Sequence, residues 1–171
     1  MKQNFDLCLK KLLQDTREGG FSNNSKDPGG ITNHGVTKRV WEAWAGHPVT
    51  EQDMRELTTQ QVAPLYHKEY WSAIKGDDLP AGLDHCVFDC AVNSGVERAT
   101  RFLLHIMEQP QDGTINPDDL ISLEGKQVRP LINLYCDLRQ GFLETLPTFE
   151  TFGKGWTRRV SEVRAEALIM A

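Results

Sequence analysis

Glu18 sits in the run Arg17-Glu18-Gly19-Gly20-Phe21, an acidic side chain followed at once by two residues that have none. Upstream, Phe5, Cys8, Leu9, Leu12 and Leu13 recur at helical spacing and predict a first helix that Gly19-Gly20 would stop. Glu18 is therefore expected at the C-terminal end of that helix. Unsatisfied carbonyls and the macrodipole place partial negative charge there, which disfavours a carboxylate and favours the carboxylic acid. Cleavage of a glycosidic bond needs such an acid, still protonated near neutral pH, to protonate the departing oxygen. Gly19 and Gly20 would let a sugar chain approach closely. Taken alone, the same run also describes an exposed glutamate at a helix terminus.

Asp27 follows nine residues later, in a turn-rich polar stretch where a carboxylate stays hydrated and ionised. Two carboxyls in contrasting environments can divide the work, one as acid and the other as base or charge stabiliser. Asp27-Pro28-Gly29 is equally an ordinary turn sequence. Thr32, Asn33 and Thr37 add polar groups that can hold a water or a sugar hydroxyl, and each also suits a turn or a cap.

Other reactive side chains are scattered. Cys8, Cys86, Cys90 and Cys136 lie within apolar helical patterns and are expected as free buried thiols. Together with His67 and His85 they show neither CxxC nor HExxH spacing, so neither a metal site nor any other cofactor is expected. Trp41 and the pair Tyr70-Trp71 have the faces to stack on pyranose rings, though aromatics at helical spacing also build cores. Asn93-Ser94-Gly95 can face a cleft or simply end a helix. Lys154, Arg158, Arg159 and Arg164 read as a solvated face or a wall-contacting patch.

The elements that must position these groups are mostly helices. Phe21 to Thr37 is too rich in Asn, Ser, Asp, Pro and Gly to be one, and reads as turns with a short β-hairpin around Asp27-Pro28-Gly29-Gly30. Thr37 can cap a helix carrying Val40, Trp41 and Trp44, while Thr50 with Asp53 and Thr58 with Gln61 have capping-box spacing. Apolar stripes then run through Val62, Leu65, Tyr66 and Tyr70, with Pro64 distorting the early turns of that helix. Further stripes follow through Leu83, Val87, Phe88, Ala91 and Val92, and through Ala99, Phe102, Leu103 and Ile106. Asp112-Gly113 predicts a turn and Asn116-Pro117 a cap and first helical residue. A long helix is expected from Val128 to Phe142 and a last one from near Trp156 to the end. The fold class is thus mainly α, with one irregular or β-hairpin insert near the N-terminus.

A chain of 171 residues suits one compact domain, or a catalytic unit with a tightly packed extension. The net charge of −5 argues against a nucleic-acid binder that relies on phosphate neutralisation. No apolar run approaches the roughly 20 residues of a membrane span, so no membrane insertion is expected. Met1 to Arg17 is amphipathic rather than continuously apolar, so no signal peptide is read there. Synthesis in the cytoplasm and a monomeric state are the corresponding expectations.

The ordered motifs resemble a known family. They are Glu18-Gly19-Gly20-Phe21-Ser22-Asn23, Asp27-Pro28-Gly29-Gly30, Thr32-Asn33-His34-Gly35-Val36-Thr37, Tyr70-Trp71, Leu79-Pro80-Ala81-Gly82, Val87-Phe88-Asp89, Ala91-Val92-Asn93-Ser94-Gly95 and Phe152-Gly153-Lys154-Gly155-Trp156. The set resembles glycoside hydrolase family 108, lysozyme-like N-acetylmuramidases found among phage endolysins and in a secretion-associated branch. The resemblance implies a lysozyme-like helical fold, with a catalytic region over 1–92 and a peptidoglycan-binding region over 93–171. It implies Glu18 as general acid. Asp27, separated from it by eight residues, resembles the phage-lysozyme arrangement of Glu, eight residues, Asp, five residues, Thr, with Asn33 here in the final place and Thr32 one residue early. Gly19, Gly20, Phe21, Thr32, Asn33, Thr37, Tyr70, Trp71 and Asn93 are then candidate contacts to peptidoglycan glycan strands. Action in the periplasm or wall would follow holin-type or other release, in host lysis or toxin export. Departures from the family pattern are Phe21 in place of a tyrosine, Asn116 in place of a glycine, and Ser25-Lys26 ahead of Asp27. A carboxyl separation of about 5 Å would mean retention, and roughly 6.5–9.5 Å inversion. The rival readings are a wall-binding secretion accessory that cleaves nothing, and a peptidoglycan amidase or peptidase.

Overall fold

The computed structural model describes residues 4–14, 17–23 and 30–171. Contacts within the chain divide it into two compact bodies, Asp6–Glu69 and Met1–Phe5 with Tyr70–Ala171. The expected class is found: helices dominate, and a small antiparallel sheet lies near the N-terminus.

The first helix, α1, spans Asn4–Leu12 and stops well before Gly19. The Glu18 N–H turns back to the Leu12 carbonyl at 3.2 Å, and the Gly19 N–H bonds the Gln14 carbonyl at 3.0 Å. Glu18 thus lies in a turn beyond the helix, not on its last residue. The expected placement on the helix terminus is corrected: Glu18 lies six residues past the end of α1, and its N–H returns to bond the carbonyl of the last helical residue, Leu12.

Three short strands follow, β1 (Phe21–Asn23), β2 (Ile31–Asn33) and β3 (Val36–Thr37). β1 pairs with β2 through Phe21 opposite Asn33 and Asn23 opposite Ile31, and β2 pairs with β3 through Thr32 opposite Thr37. The hairpin between β1 and β2 is the expected one, whereas β3 and its turn were not anticipated. Thr37 then caps α2 (Lys38–Ala45) by accepting from the Val40 N–H. Both capping boxes form as their spacing predicts, Thr50 with Asp53 on α3 (Glu51–Arg55) and Thr58 with Gln61 on α4 (Thr59–Tyr66). Pro64 is accommodated inside α4, and the helix changes to a π-helical turn, His67–Trp71, directly after Tyr66.

In the other body, α5 (Leu83–Ser94) is buried without interruption from Leu83 to Ala91. Around it lie α6 (Val96–Ile106), α7 (Pro117–Ile121), α8 (Val128–Glu144) and α9 (Phe149–Met170), of which α6, α8 and α9 pack on α5 directly. Total burial forces its polar residues to find partners. Asp89 accepts from Arg139 on α8 at 2.7 Å and from Nε and Nη2 of Arg159 on α9 at 3.1 and 3.0 Å. Burial by itself would push the Asp89 carboxyl up, but the charges of Arg139 and Arg159 outweigh it and hold the group far below the usual carboxylate range. Nearer the start of α5, Asp84 accepts from Asn4 Nδ2 and from the N–H groups of Gly82 and His85. Burial still pushes that carboxyl upward.

α9 begins at Phe149, seven residues ahead of the expected start near Trp156. Gly153, inside the helix, is a packing residue. A Cβ there would meet the Phe149 ring at 2.8 Å, so its absence lets that ring lie against the helix. All four cysteines are free and buried. Among the described residues, no helix is long and apolar enough to cross a membrane.

Asp89→Asn keeps the shape and removes the negative charge shared by two guanidinium groups, one of them fully buried. It is expected to lower the free energy of unfolding by about 3 kcal/mol at pH 7 in urea titrations. Because the folded-state carboxyl is depressed, its stabilising contribution is present above the unfolded-state value of about 4 and fades as pH falls below it. The variant should therefore lose less stability than wild type between pH 6 and pH 3.

Candidate active site

Within Asp6–Glu69, the segment carrying Glu18 meets the turn between β2 and β3. That turn has two central residues, His34 at φ 47° and Gly35 at φ 71°. Two consecutive positive φ values are those of a type I′ turn, whose twist suits a two-residue hairpin. His34 is not a residue that adopts this conformation freely, and it is tied at three points. Its N–H bonds the Gly20 carbonyl at 3.3 Å, its carbonyl accepts from the Tyr66 hydroxyl at 2.8 Å, and its Nε2 lies 3.0 Å from the Leu57 carbonyl. A carbonyl only accepts, so Nε2 carries the proton there.

The consequence falls on Glu18. A Cβ placed on Gly35 would stand 2.5 Å from Tyr66 Oη, 3.0 Å from Glu18 Cβ and 3.2 Å from Glu18 Oε2. The bare α-carbon of Gly35 is therefore the surface against which the carboxyl of Glu18 lies, with the Tyr66 hydroxyl beside it. Glu18 and Gly19 are half-buried and Gly20 is exposed, so one side of the acid is packed while the glycine side is open. This arrangement packs the carboxyl on one side against the turn.

The remaining candidates divide by sheet face. Cross-strand partners project to the same side. Thr32 thus shares a face with Ser22 and Thr37, and all three are at least partly exposed. The Thr37 hydroxyl accepts from the Val40 N–H as the cap of α2, and the Thr32 hydroxyl donates to the Gly30 carbonyl at 3.3 Å. On the opposite face, Asn33 is buried and its amide nitrogen donates to the carbonyls of Met54 and Arg55 at 2.8 and 3.3 Å. That nitrogen ties β2 to the end of α3, which replaces the water-holding role expected for the residue. Phe21 carries the Arg55 guanidinium 4.0 Å from its ring centroid, so one ring face is already covered. Arg55 is in turn paired with Glu51, which also accepts from Asn23 on β1. Hydrogen bonds from Arg55 and Asn23 lower the Glu51 carboxyl below its ordinary value.

Asp27 lies outside the described residues. Tyr70, Trp71 and Asn93 belong to the other body. Trp71 is completely buried, edge-on to Phe5 and Phe88, with its indole N–H on Asp77 at 3.1 Å. It has no face left for a sugar, so the groove role expected of it is corrected to core packing. Tyr70 is half-buried, and Asn93 accepts from Arg139 at 3.1 Å. Trp41 lines an open groove of about 380 Å³ with His47, Asp53, Glu56 and Gln61. Among the described residues, no cluster of His, Cys, Asp and Glu is arranged to hold a metal ion.

Comparison with known proteins fits this geometry. The family described as Glycosyl hydrolase 108 matches residues 12–95, which takes in Glu18, the three strands and the Gly35 turn. A solved structure titled as that of Brucella abortus SagA is 40% identical, covers 99% of this chain and 97% of its own, and superposes with a TM-score of 0.85. The chain belongs to glycosyl hydrolase family 108. No curated protein matches it. Membership makes the chain a glycoside hydrolase with a role on peptidoglycan.

His34, Gly35 and Tyr66 were not singled out as site residues from spacing. The turn could have been read from His34-Gly35 between Thr32-Asn33 and Val36-Thr37, since a two-residue loop ending in glycine suits a hairpin, although histidine is not among its usual first residues. Tyr66 gives no such signal, being one apolar-stripe residue among several. Gly35→Ala combines the strain of positive φ, about 1 kcal/mol, with about 1–3 kcal/mol of overpacking. Gly46→Ala provides the comparison: φ is 78° there and a Cβ would meet nothing within 4 Å. Gly35→Ala should therefore lower the thermal midpoint further than Gly46→Ala, and it alone should depress glycan hydrolysis in a turbidity assay on peptidoglycan.

Proposed function

We propose that the chain is an N-acetylmuramidase that hydrolyses the β-1,4 bond between N-acetylmuramic acid and N-acetylglucosamine, with Glu18 as general acid. The observation that carries this reading is the carboxyl of Glu18 packed against the α-carbon of Gly35 and flanked by Gly19 and Gly20. One side is held by protein, and the other is open to a glycan strand that can approach bare backbone. Glu18 gives its proton to the glycosidic oxygen as the bond to the anomeric carbon breaks. Positive charge develops on the sugar ring, and Asp27 serves to stabilise it or to orient the attacking water. Water adds to the anomeric carbon, leaving a new reducing end.

Phe21, by its uncovered face, and Thr32 and Thr37, on the exposed face of the sheet, are the further contacts proposed for the strand; Tyr70 and Asn93 belong to the other body and are proposed as contacts of that body with the strand. The family match ends at Gly95, which supports a division of labour near Asn93. On this reading residues 1–92 cut, and the helices from 93 onward bind peptidoglycan. The place of action is the cell wall.

Glu18→Gln preserves shape and removes the proton. Hydrolysis of purified sacculi by this variant should fall by about 10²–10⁴-fold while the thermal midpoint stays near that of wild type. Mass spectrometry of the wild-type digest should show new reducing-end N-acetylmuramic acid. Anhydro-muramic ends would indicate a lytic transglycosylase, and free stem peptides an amidase. Near wild-type hydrolysis by Glu18→Gln would remove Glu18 from the mechanism.

A further inference from the structure

Tyr66 closes α4 with its side chain only 1% exposed, and its hydroxyl donates to the His34 carbonyl. A phenol has one proton, so the rest of that oxygen offers lone pairs. The position a Gly35 Cβ would take lies 2.5 Å from this oxygen and 3.2 Å from Glu18 Oε2, which places both oxygens in one small space beside the turn. We propose that Tyr66 is a positioning residue for Glu18: with its proton committed to His34, its oxygen accepts a hydrogen bond from the Glu18 carboxylic acid and holds that group for transfer. The proposal rests on the reading of Glu18 as general acid.

The direction of the His34 bond is what gives the arrangement its sense. Were the tyrosine free to rotate its O–H, it would donate to a carboxylate and favour the ionised form. Fixed toward a carbonyl, it offers a carboxylate only lone pairs, which repel, and a carboxylic acid an acceptor, which attracts. The His34 N–H to Gly20 carbonyl bond ties the same turn to the segment carrying Glu18, so acid and tyrosine are indexed to one residue. The hydrogen bond to Tyr66 keeps the acid proton on Glu18 in the free enzyme; when a glycosidic oxygen arrives, the acid's O–H turns from Tyr66 to that oxygen and gives it the proton. Tyr66 keeps its own throughout.

The test is a double-substitution cycle on purified sacculi with Tyr66→Phe, Glu18→Gln and the pair. Tyr66→Phe is expected to lower kcat by about tenfold to a hundredfold, part of the range for general acid catalysis, with KM changed less than twofold. In the Glu18→Gln background it should make no further difference, because the group it acts through is gone. Equal losses in both backgrounds would show that Tyr66 only supports the turn, and would overturn the proposal. So would a Tyr66→Phe kcat within twofold of wild type while Glu18→Gln is inactive, a result that leaves the reading of Glu18 standing. An active Glu18→Gln would instead remove that reading and the proposal together. Should Tyr66→Phe fail to fold by thermal denaturation, 3-fluorotyrosine installed at position 66 alone keeps the His34 bond and makes the oxygen a weaker acceptor. A kcat reduced severalfold at unchanged KM supports the proposal, and an unchanged kcat overturns it.

Discussion

The two-residue reversal between β2 and β3 is a type I′ turn, with positive φ at both His34 and Gly35, and His34 adopts that conformation under restraint. The hydrogen bond from Tyr66 at 2.8 Å is one of three that hold it there, together with those to the Gly20 and Leu57 carbonyls. Once His34 is fixed, Gly35 has no freedom about where its α-carbon lies, and Glu18 meets that α-carbon directly. The geometry of the acid is thus set by a turn distant in sequence, through a residue that takes no part in proton transfer. Strain of about 1–3 kcal/mol at a non-glycine residue persists only where surrounding bonds over-determine it, and here they do. The Arg55 guanidinium on Phe21 and the Asn33 amide on α3 fasten the same sheet from its other face.

The body built on α5 solves a different problem with a similar economy of parts. A helix buried on every side can carry charge only if neighbouring helices supply the opposite one, and Asp89 draws a guanidinium from α8 and another from α9. Such a cluster need not add stability over an apolar core. Its geometric demand is nevertheless strict, because a slip of either helix would separate a buried charge from its partner. Arg139 carries that demand one step further by donating to Asn93, near the end of α5. A motif residue that reads as a helix terminator is thereby oriented by a charge network whose arginine on α8 lies 46 residues away.

What could be read from the sequence is what depends on neighbours along the chain. The two capping boxes, the Thr37 cap, the Gly95 stop of α5 and the apolar stripes all involve residues a few positions apart, and all formed as read. The class followed from these. Errors arose where a distant partner decides the outcome. α1 ends at Leu12 because Glu18 folds back to cap it, which no local pattern announces. α9 starts at Phe149, earlier than read, and its glycine at 153 lets the Phe149 ring lie against the helix, a packing role with no local signal. Trp71 and Asn33 have the chemistry of sugar-binding residues and were taken as such, yet each is buried and spends its donor on another protein group.

The same distinction runs through the proposed site, where Glu18 is the proposed acid. Glu18 was legible because a carboxyl beside two glycines is an uncommon pairing that motif order then places in a family. The residues that orient it were not, since a tyrosine on an apolar stripe and a glycine in a polar loop each have a sufficient local explanation. Gly35 shows why that explanation is incomplete. Gly46 needs to be glycine for its backbone alone, having open space where a Cβ would stand, whereas at Gly35 the backbone requirement and the space requirement coincide. Positive φ could be met there at modest cost by asparagine, as in many turns; the proximity of Glu18 and Tyr66 could not. An acid that must be both packed and approachable needs a wall on one side with no side chain of its own, and a hairpin turn presents one only when its glycine faces inward toward the acid.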